Sequence, residues 1–274
     1  MNEILRGKTA LVTGASSGLG ADFARQLAER GCHLILVARR LEALQALKQE
    51  IEGRYSVSVT LYPADLAEVD APRRLYERVQ ASGQTVDVLV NNAGLGLFGE
   101  FLQIPWERQR QMLELDMVTV VHLTKLFLND MVARNFGYVL NVGSTGSFQP
   151  TPGYAAYAAA KSFILSFSEA LHYELRQTGV HCTVVCPGMT RTEFFQVAGQ
   201  TTLTPYQRAT MMDSAAVARI GIAAMLRGRS CVVAGWLNAF LAWGTRLTSR
   251  QFNAAFAHRM VTLRGQGGAA APAK

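Results

Sequence analysis

Cysteine is scarce. Cys32, Cys182, Cys186 and Cys231 are the four in 274 residues, with no Cys-x-x-Cys pair and no Cys/His cluster at zinc spacing. A disulfide scaffold and a zinc module are therefore excluded, and no metal site is expected. Each thiol lies in or beside an apolar, strand-like run, so free buried thiols in a reducing, cytoplasmic compartment are the expected state. Charge is also thin, at 17% of residues. The net charge is +7, yet no run of five basic residues occurs. Pairs such as Arg39-Arg40 and Arg73-Arg74 read as solvated surface plus one anion patch, which argues against a nucleic-acid partner. No apolar run is long enough to cross a bilayer. No leader pattern precedes the first strand-like run at Thr9. No Pro-, Gly- or Ser-rich linker divides the chain, and no internal repeat is visible.

What is present suits a globular enzyme, with 49% of residues hydrophobic. Short apolar runs alternate with longer amphipathic ones. Strands are predicted over 9–12, 33–38, 57–62, 86–90, 138–142, 181–186 and 231–234. Several are almost uninterrupted, as strands covered on both faces must be. Helical spacing is read over 18–30, 41–51, 73–79, 106–132 (one long helix or two) and 162–176. This order predicts an α/β fold with one doubly wound parallel sheet of about seven strands in a single domain over 1–264. Residues 265–274 are of low complexity and are expected to be a disordered tail.

The turn after the first strand runs Thr13-Gly14-Ala15-Ser16-Ser17-Gly18-Leu19-Gly20 and opens a helix. Glycines let the backbone approach a pyrophosphate, and a helix N-terminus supplies free N–H groups. The bland alternative is a compact loop. The order strand, turn, helix favours cofactor binding through Gly14, Ser16, Ser17, Gly18, Leu19 and Gly20. At the end of the second strand, where an NAD site usually carries an acid, stand Arg39 and Arg40. Two guanidinium groups suit a 2′-phosphate, so NADP(H) is expected over NAD.

Ser144 closes the run 138–142, and Tyr157 and Lys161 are four apart in an alanine-rich stretch that favours helix. Residues four apart share one helix face, so a phenol and an ammonium can converge there. A phenol is a poor acid–base group at neutral pH, and a nearby ammonium favours its phenolate. A serine hydroxyl can hold a carbonyl oxygen. The competing reading is a buried tyrosine beside a snorkelling lysine. Tyr154 and Ser147 are rivals to Tyr157 and Ser144.

Taken together, residues from about Lys8 to Thr192 resemble the short-chain dehydrogenase/reductase family. The resemblance rests on the glycine turn, Asp65-Leu66, Asn91-Asn92-Ala93-Gly94, Ser144, Tyr157, Lys161 and the run Pro187–Thr192. It implies a Rossmann fold and a ketone/alcohol oxidoreductase acting on a small-molecule carbonyl or alcohol substrate. It further implies Asp65 and Leu66 beside the adenine, and Asn92, Ala93 and Gly94 along the cofactor cleft. Tyr157 is then the general acid or base, and Lys161 also bonds the nicotinamide ribose. Pro187, Gly188 and Thr192 approach the nicotinamide end. A homo-oligomer is implied by the resemblance alone. One position departs from it. Asp116 stands where the family usually has an asparagine supporting a proton relay, and an ionised carboxylate cannot donate a hydrogen bond as an amide can. Burial could hold it neutral, or it could pair with Lys161. A cofactor-binding regulatory or scaffold protein with little turnover is the alternative that this departure leaves open.

Beyond Gly188, the residues Met189, Phe194, Phe195, Met211 and Met212 read either as an apolar lid over a hydrophobic substrate or as ordinary packing. The stretch 236–263 interleaves aromatics with arginines and reads as an amphipathic helix pair. Packing on the domain or on a second subunit is the leading reading, and peripheral membrane contact is the other.

Overall fold

The computed structural model describes residues 3–200 and 202–261. Among these, the strands are β1 (Thr9–Thr13), β2 (His33–Ala38), β3 (Val59–Pro63), β4 (Val88–Asn91), β5 (Gly137–Val142), β6 (Val180–Cys186), β7 (Thr190–Arg191), β8 (Met212–Asp213) and β9 (Cys231–Val233). The helices are α1 (Gly18–Glu29), α2 (Leu41–Arg54), α3 (Ala71–Ala81), α4 (Trp106–Leu113), α5 (Thr119–Ala133), α6 (Ala155–Glu174), α7 (Phe194–Val197), α8 (Pro205–Ala209), α9 (Ser214–Leu226), α10 (Trp236–Gly244) and α11 (Arg250–Val261).

Seven strands form one parallel sheet in the order β3-β2-β1-β4-β5-β6-β9. The order reverses between β1 and β4, which opens a crevice at the carboxyl ends of the strands. The doubly wound α/β fold is thus the one expected. Successive side chains on a strand point to opposite faces. Ala10 and Val12 of β1, with Leu34 and Leu36 of β2, pack with Phe23 and Leu27 of α1 and Val217 and Ile222 of α9. Leu11, Ile35 and Val37 face the other way, onto Leu75 and Val79 of α3 and Leu123 and Phe127 of α5. Both faces are covered, which is why these strands read as unbroken apolar runs.

Several details differ from the sequence expectation, among them α9, which it did not mark. α3 begins at Ala71 because Pro72 is tolerated in a first helical turn, where its missing N–H has no intrahelical partner to lose. α6 begins at Ala155, earlier than the amphipathic pattern suggested, because alanine carries helix propensity without marking a face. The stretch 106–132 is helical as expected, but α4 and α5 are joined by a π-helical turn at Glu114–Val118 that was not anticipated. A second, two-strand sheet pairs β7 with β8 and was not anticipated. Of the thiols, Cys32, Cys182 and Cys186 are buried, whereas Cys231 on the edge strand β9 is only half-buried. The expected tail over 265–274 and the end of the 236–263 stretch lie outside the described residues.

Candidate active site

The crevice at the switch point is a cavity of about 670 Å³. The glycine turn forms its floor. Gly14 has φ +66°, and a Cβ there would stand 2.8 Å from Asn92 Nδ2. At Gly20 a Cβ would lie 2.2 Å from the Gly14 carbonyl oxygen. These approaches keep the loop flat against β4 and leave the first turn of α1 facing the cavity. Asn92 Nδ2 donates to the carbonyl oxygens of Thr13 and Gly14 at 2.9 and 3.3 Å. Thr13 Oγ1 accepts the N–H groups of Asn92 and Ala93 at 3.0 and 2.9 Å. Thr13 therefore clamps the ends of β1 and β4 together, a role that its ordinary strand context did not advertise.

Ser16, Ser17, Gly18 and Leu19 line the same cavity, as do Arg39, Arg40, Asp65, Leu66, Ala93 and Gly94. The two arginines differ in their restraint. Arg40 Nη2 donates to Glu193 Oε2 at 3.1 Å, with Ser16 Oγ 3.4 Å away. Arg39 Nη1 stands 3.9 Å from Asp65 Oδ2. Both guanidinium groups remain largely exposed. Such a solvated pair can meet an anion at the cavity edge. Pro187, Gly188 and Thr192 complete the wall beyond β6.

Ser144 follows β5 and caps the short 3-10 turn Thr145–Phe148, its Oγ accepting the Gly146 N–H at 3.0 Å. Tyr157 and Lys161 stand one turn apart on α6, and the ammonium lies 5.7 Å from the phenol ring centre. Of the rivals, Tyr154 directs its hydroxyl to Gln200 Oε1 at 2.7 Å. Ser147 spends its hydroxyl on the Lys161 carbonyl at 2.8 Å. Ser147 is thus a bracket between the 3-10 turn and α6.

Asp116 does not line the cavity. It lies behind it in the π-helical turn, wholly buried, where the widened turn carries it under Leu95 and Lys161. Oδ1 accepts the Leu95 N–H at 2.7 Å, and Oδ2 lies 3.1 Å from Lys161 Nζ. That second contact is an ion pair without hydrogen-bond alignment at Oδ2. Lys161 Nζ also donates to the Val142 carbonyl at 3.2 Å. Burial pushes the Asp116 carboxyl above its ordinary range, while Lys161 and the Leu95 N–H pull it down.

The electrostatics correct one expectation. A lowered Tyr157 pKa was expected from Lys161. Instead burial, and then the Asp116 charge, push the phenol up, with the Ser144 hydrogen bond acting in the opposite direction. The physical reason is burial, which disfavours the charged phenolate, with the Asp116 charge adding to it.

The substrate side of the cavity brings in Phe194, read from the sequence as lid or packing, and residues such as Asn238 that the sequence did not mark. Phe194 packs on Tyr157 with ring centres 5.4 Å apart, and Tyr154 flanks Tyr157 at 5.7 Å. From the C-terminal helices come Asn238, Phe240, Leu241, Phe252, Phe256 and Met260. α10 presses so closely on the turn after β6 that a Cβ at Gly188 would stand 2.5 Å from Asn238 Nδ2. The helix pair expected over 236–263 is therefore present over the described residues and packs on the domain.

The family model of the short chain dehydrogenases matches residues 8–202. An oxidoreductase of Myxococcus xanthus, itself uncharacterised, is 37% identical over 68% of this chain and 73% of its own. The human 17-beta-hydroxysteroid dehydrogenase type 3 is 31% identical over 86% of this chain and 76% of its own. A short-chain dehydrogenase from Sphingobium yanoikuyae, solved in complex with NADPH, superposes with a TM-score of 0.79 at 29% identity, covering 88% of this chain and 94% of that one. The chain belongs to the short-chain dehydrogenase family.

Proposed function

We propose that this short-chain dehydrogenase is an NADP(H)-dependent oxidoreductase that interconverts a hydrophobic ketone and its secondary alcohol. One observation carries the reading. The glycine turn, the Arg39/Arg40 pair and Ser144, Tyr157 and Lys161 all border one cavity at the switch point of the sheet.

The cavity suits a dinucleotide. The cradle beside Gly14 and Gly20 has no room for a Cβ, and the free N–H groups at the start of α1 can receive a pyrophosphate. Arg39 and Arg40 would hold a 2′-phosphate, Asp65 and Leu66 the adenine, and Asn92, Ala93 and Gly94 the central cleft. Pro187, Gly188 and Thr192 would border the nicotinamide, with Lys161 on its ribose. The NADPH in the Sphingobium relative supports the choice of cofactor. When bound, the nicotinamide supplies or accepts the hydride at the carbonyl carbon.

The chain's own residues handle the proton. In reduction, Ser144 holds the carbonyl oxygen and Tyr157 gives it the phenolic proton, so the product is a neutral alcohol. In oxidation, Tyr157 takes that proton back. Burial holds the phenol above its ordinary pKa, so near neutrality it carries the proton that reduction needs, and the phenolate that oxidation needs is scarce. Phe194, Phe240, Phe252 and Phe256 give the substrate end an apolar wall. The hydroxysteroid dehydrogenase relative supports a bulky apolar substrate. The ion pair of Lys161 with Asp116 is also the observation that favours the second reading, a cofactor-binding protein with little turnover.

The test is a panel of bulky ketones and secondary alcohols run with NADPH and NADH against a Tyr157→Phe control. Turnover that requires NADPH and the phenol is the expected result. Cofactor binding without turnover above the control on any substrate would establish the second reading.

A further inference from the structure

The charge of this chain is unevenly placed. Asp213 is the last acidic residue, and eight Lys and Arg follow it, so the segment after Asp213 carries +8 while the rest sums to −1. Within that segment, α10 and α11 form a hairpin. Asn253 Nδ2 donates to the Thr245 carbonyl at 3.0 Å, and Thr248 Oγ1 donates to Asn253 Oδ1 at 2.6 Å, which ties the connecting turn to α11. Asn238, Ala242, Asn253 and Ala257 are the buried side of the hairpin.

The other side is apolar and open. Trp236 is 83% exposed, Phe240 61%, Trp243 53% and Leu247 70%. These recur at intervals of four, three and four residues, one face of α10 and of the turn that follows it. On α11, Phe252 and Phe256 continue the exposed apolar surface with stacked rings, 6.4 Å between centres. Interleaved with them are the exposed cations Arg246, Arg250 and Arg259. An apolar helical face flanked by arginines and bare of carboxylates has the composition of an interfacial anchor. Among the described residues no helix is long and apolar enough to cross a membrane, so such a hairpin would lie on a bilayer.

We propose that the α10–α11 hairpin docks the protein on an anionic phospholipid surface, with Trp236, Trp243 and Leu247 entering the interface and Arg246 and Arg250 paired with lipid headgroups. A second copy fits this face poorly when paired hairpin on hairpin. It would set arginine against arginine, since the hairpin offers no carboxylate to meet them. The inference also deepens the proposed function and, in this respect only, rests on it. Phe240, Phe252 and Phe256 belong at once to the exposed face and to the cavity wall. Docking would therefore bring the cavity mouth against the lipid, from which an apolar ketone could enter directly.

The test is flotation of the full chain with vesicles of phosphatidylcholine, alone or mixed with phosphatidylglycerol. No cofactor or substrate is needed, so failure here leaves the oxidoreductase reading intact, and failure of turnover leaves this result intact. The chain is expected to float with the mixed vesicles and about tenfold less with phosphatidylcholine alone. The triple variant Trp236→Ala/Trp243→Ala/Leu247→Ala should stay with the soluble fraction while melting like wild type. Arg246→Glu/Arg250→Glu should lose the preference for anionic vesicles. Flotation that is absent, or that survives the triple variant, overturns the proposal. So does a dimer in sedimentation that the triple variant dissolves, because the face would then belong to a second copy.

Discussion

Asp116 Oδ2 lies 3.1 Å from Lys161 Nζ, and both side chains are withdrawn from solvent. A buried carboxylate thus sits beside the ammonium that lies 5.7 Å from the Tyr157 ring centre. Its charge is the second cause, after burial, that holds the phenol up. Asp116→Asn removes that charge and keeps an acceptor for the Leu95 N–H. The Tyr157 pKa should fall, and alcohol oxidation, which needs the phenolate, should set in at lower pH than in wild type. Rates of oxidation against pH check this, and superimposable profiles would show that the carboxylate does not act on Tyr157.

The same pair governs stability. Asp116→Leu leaves Lys161 buried without its counter-charge and should cost about 3 kcal/mol, read from urea unfolding. The pH dependence has a definite sign. A carboxyl whose folded pKa is raised contributes most below its unfolded value and loses that contribution as pH climbs through the folded one. Asp116→Asn should therefore flatten the fall in stability above the ordinary carboxylate range.

Arg40 donates to the Glu193 carboxylate at the cavity edge, so its guanidinium is placed where an anion can be met. Arg40→Ala should raise the KM for NADPH about tenfold or more, the loss of a charge-assisted hydrogen bond, and leave that for NADH little changed. Parallel KM measurements with the two cofactors decide it. Equal losses would remove Arg40 from cofactor discrimination.

At Gly20 the opposing atom is a backbone oxygen, so it cannot swing aside as a side chain could. Gly20→Ala should cost about 1–3 kcal/mol and weaken dinucleotide binding by displacing the turn. Thermal unfolding and NADPH titration measure the two effects.

Cys32 and Cys182 are pushed up to about 12 by burial, whereas Cys231 is lowered, chiefly by its hydrogen bond with Cys186. An alkylating agent at mildly alkaline pH should label Cys231 first and leave Cys32 and Cys182 intact until the chain unfolds. Since the two buried thiols keep their protons to about 12 when folded and lose them near 9 when unfolded, stability should fall as pH rises through that interval. Peptide mapping and alkaline unfolding curves test the two halves.

Much of the frame was legible from local pattern. The strand over 33–38 was bounded correctly because both its faces are covered and nothing polar interrupts it. The boundary of α6 was less legible, since the alanines that start it fit a helix without showing which face is buried. The glycine turn could be read because it needs glycine for steric reasons that any sequence must respect. Phe194 and Asn238 were harder. An apolar ring and an amide carry no mark of which turn they will meet, and both reach the cavity across long separations in the chain.

The sequence by itself determined the order of the seven sheet strands and of the helices between the first six of them, the pairing of Tyr157 with Lys161 on one helix face and the basic character of the second strand's end. These follow from residue spacing and backbone propensity, which act over a few residues. Only the tertiary structure decided that Asp116 lies buried against Lys161, that Arg40 reaches Glu193, and that the last two helices share their aromatics between a cavity wall and an open surface. Burial and long-range proximity set those charges and contacts, and neither is a property of any short stretch of chain.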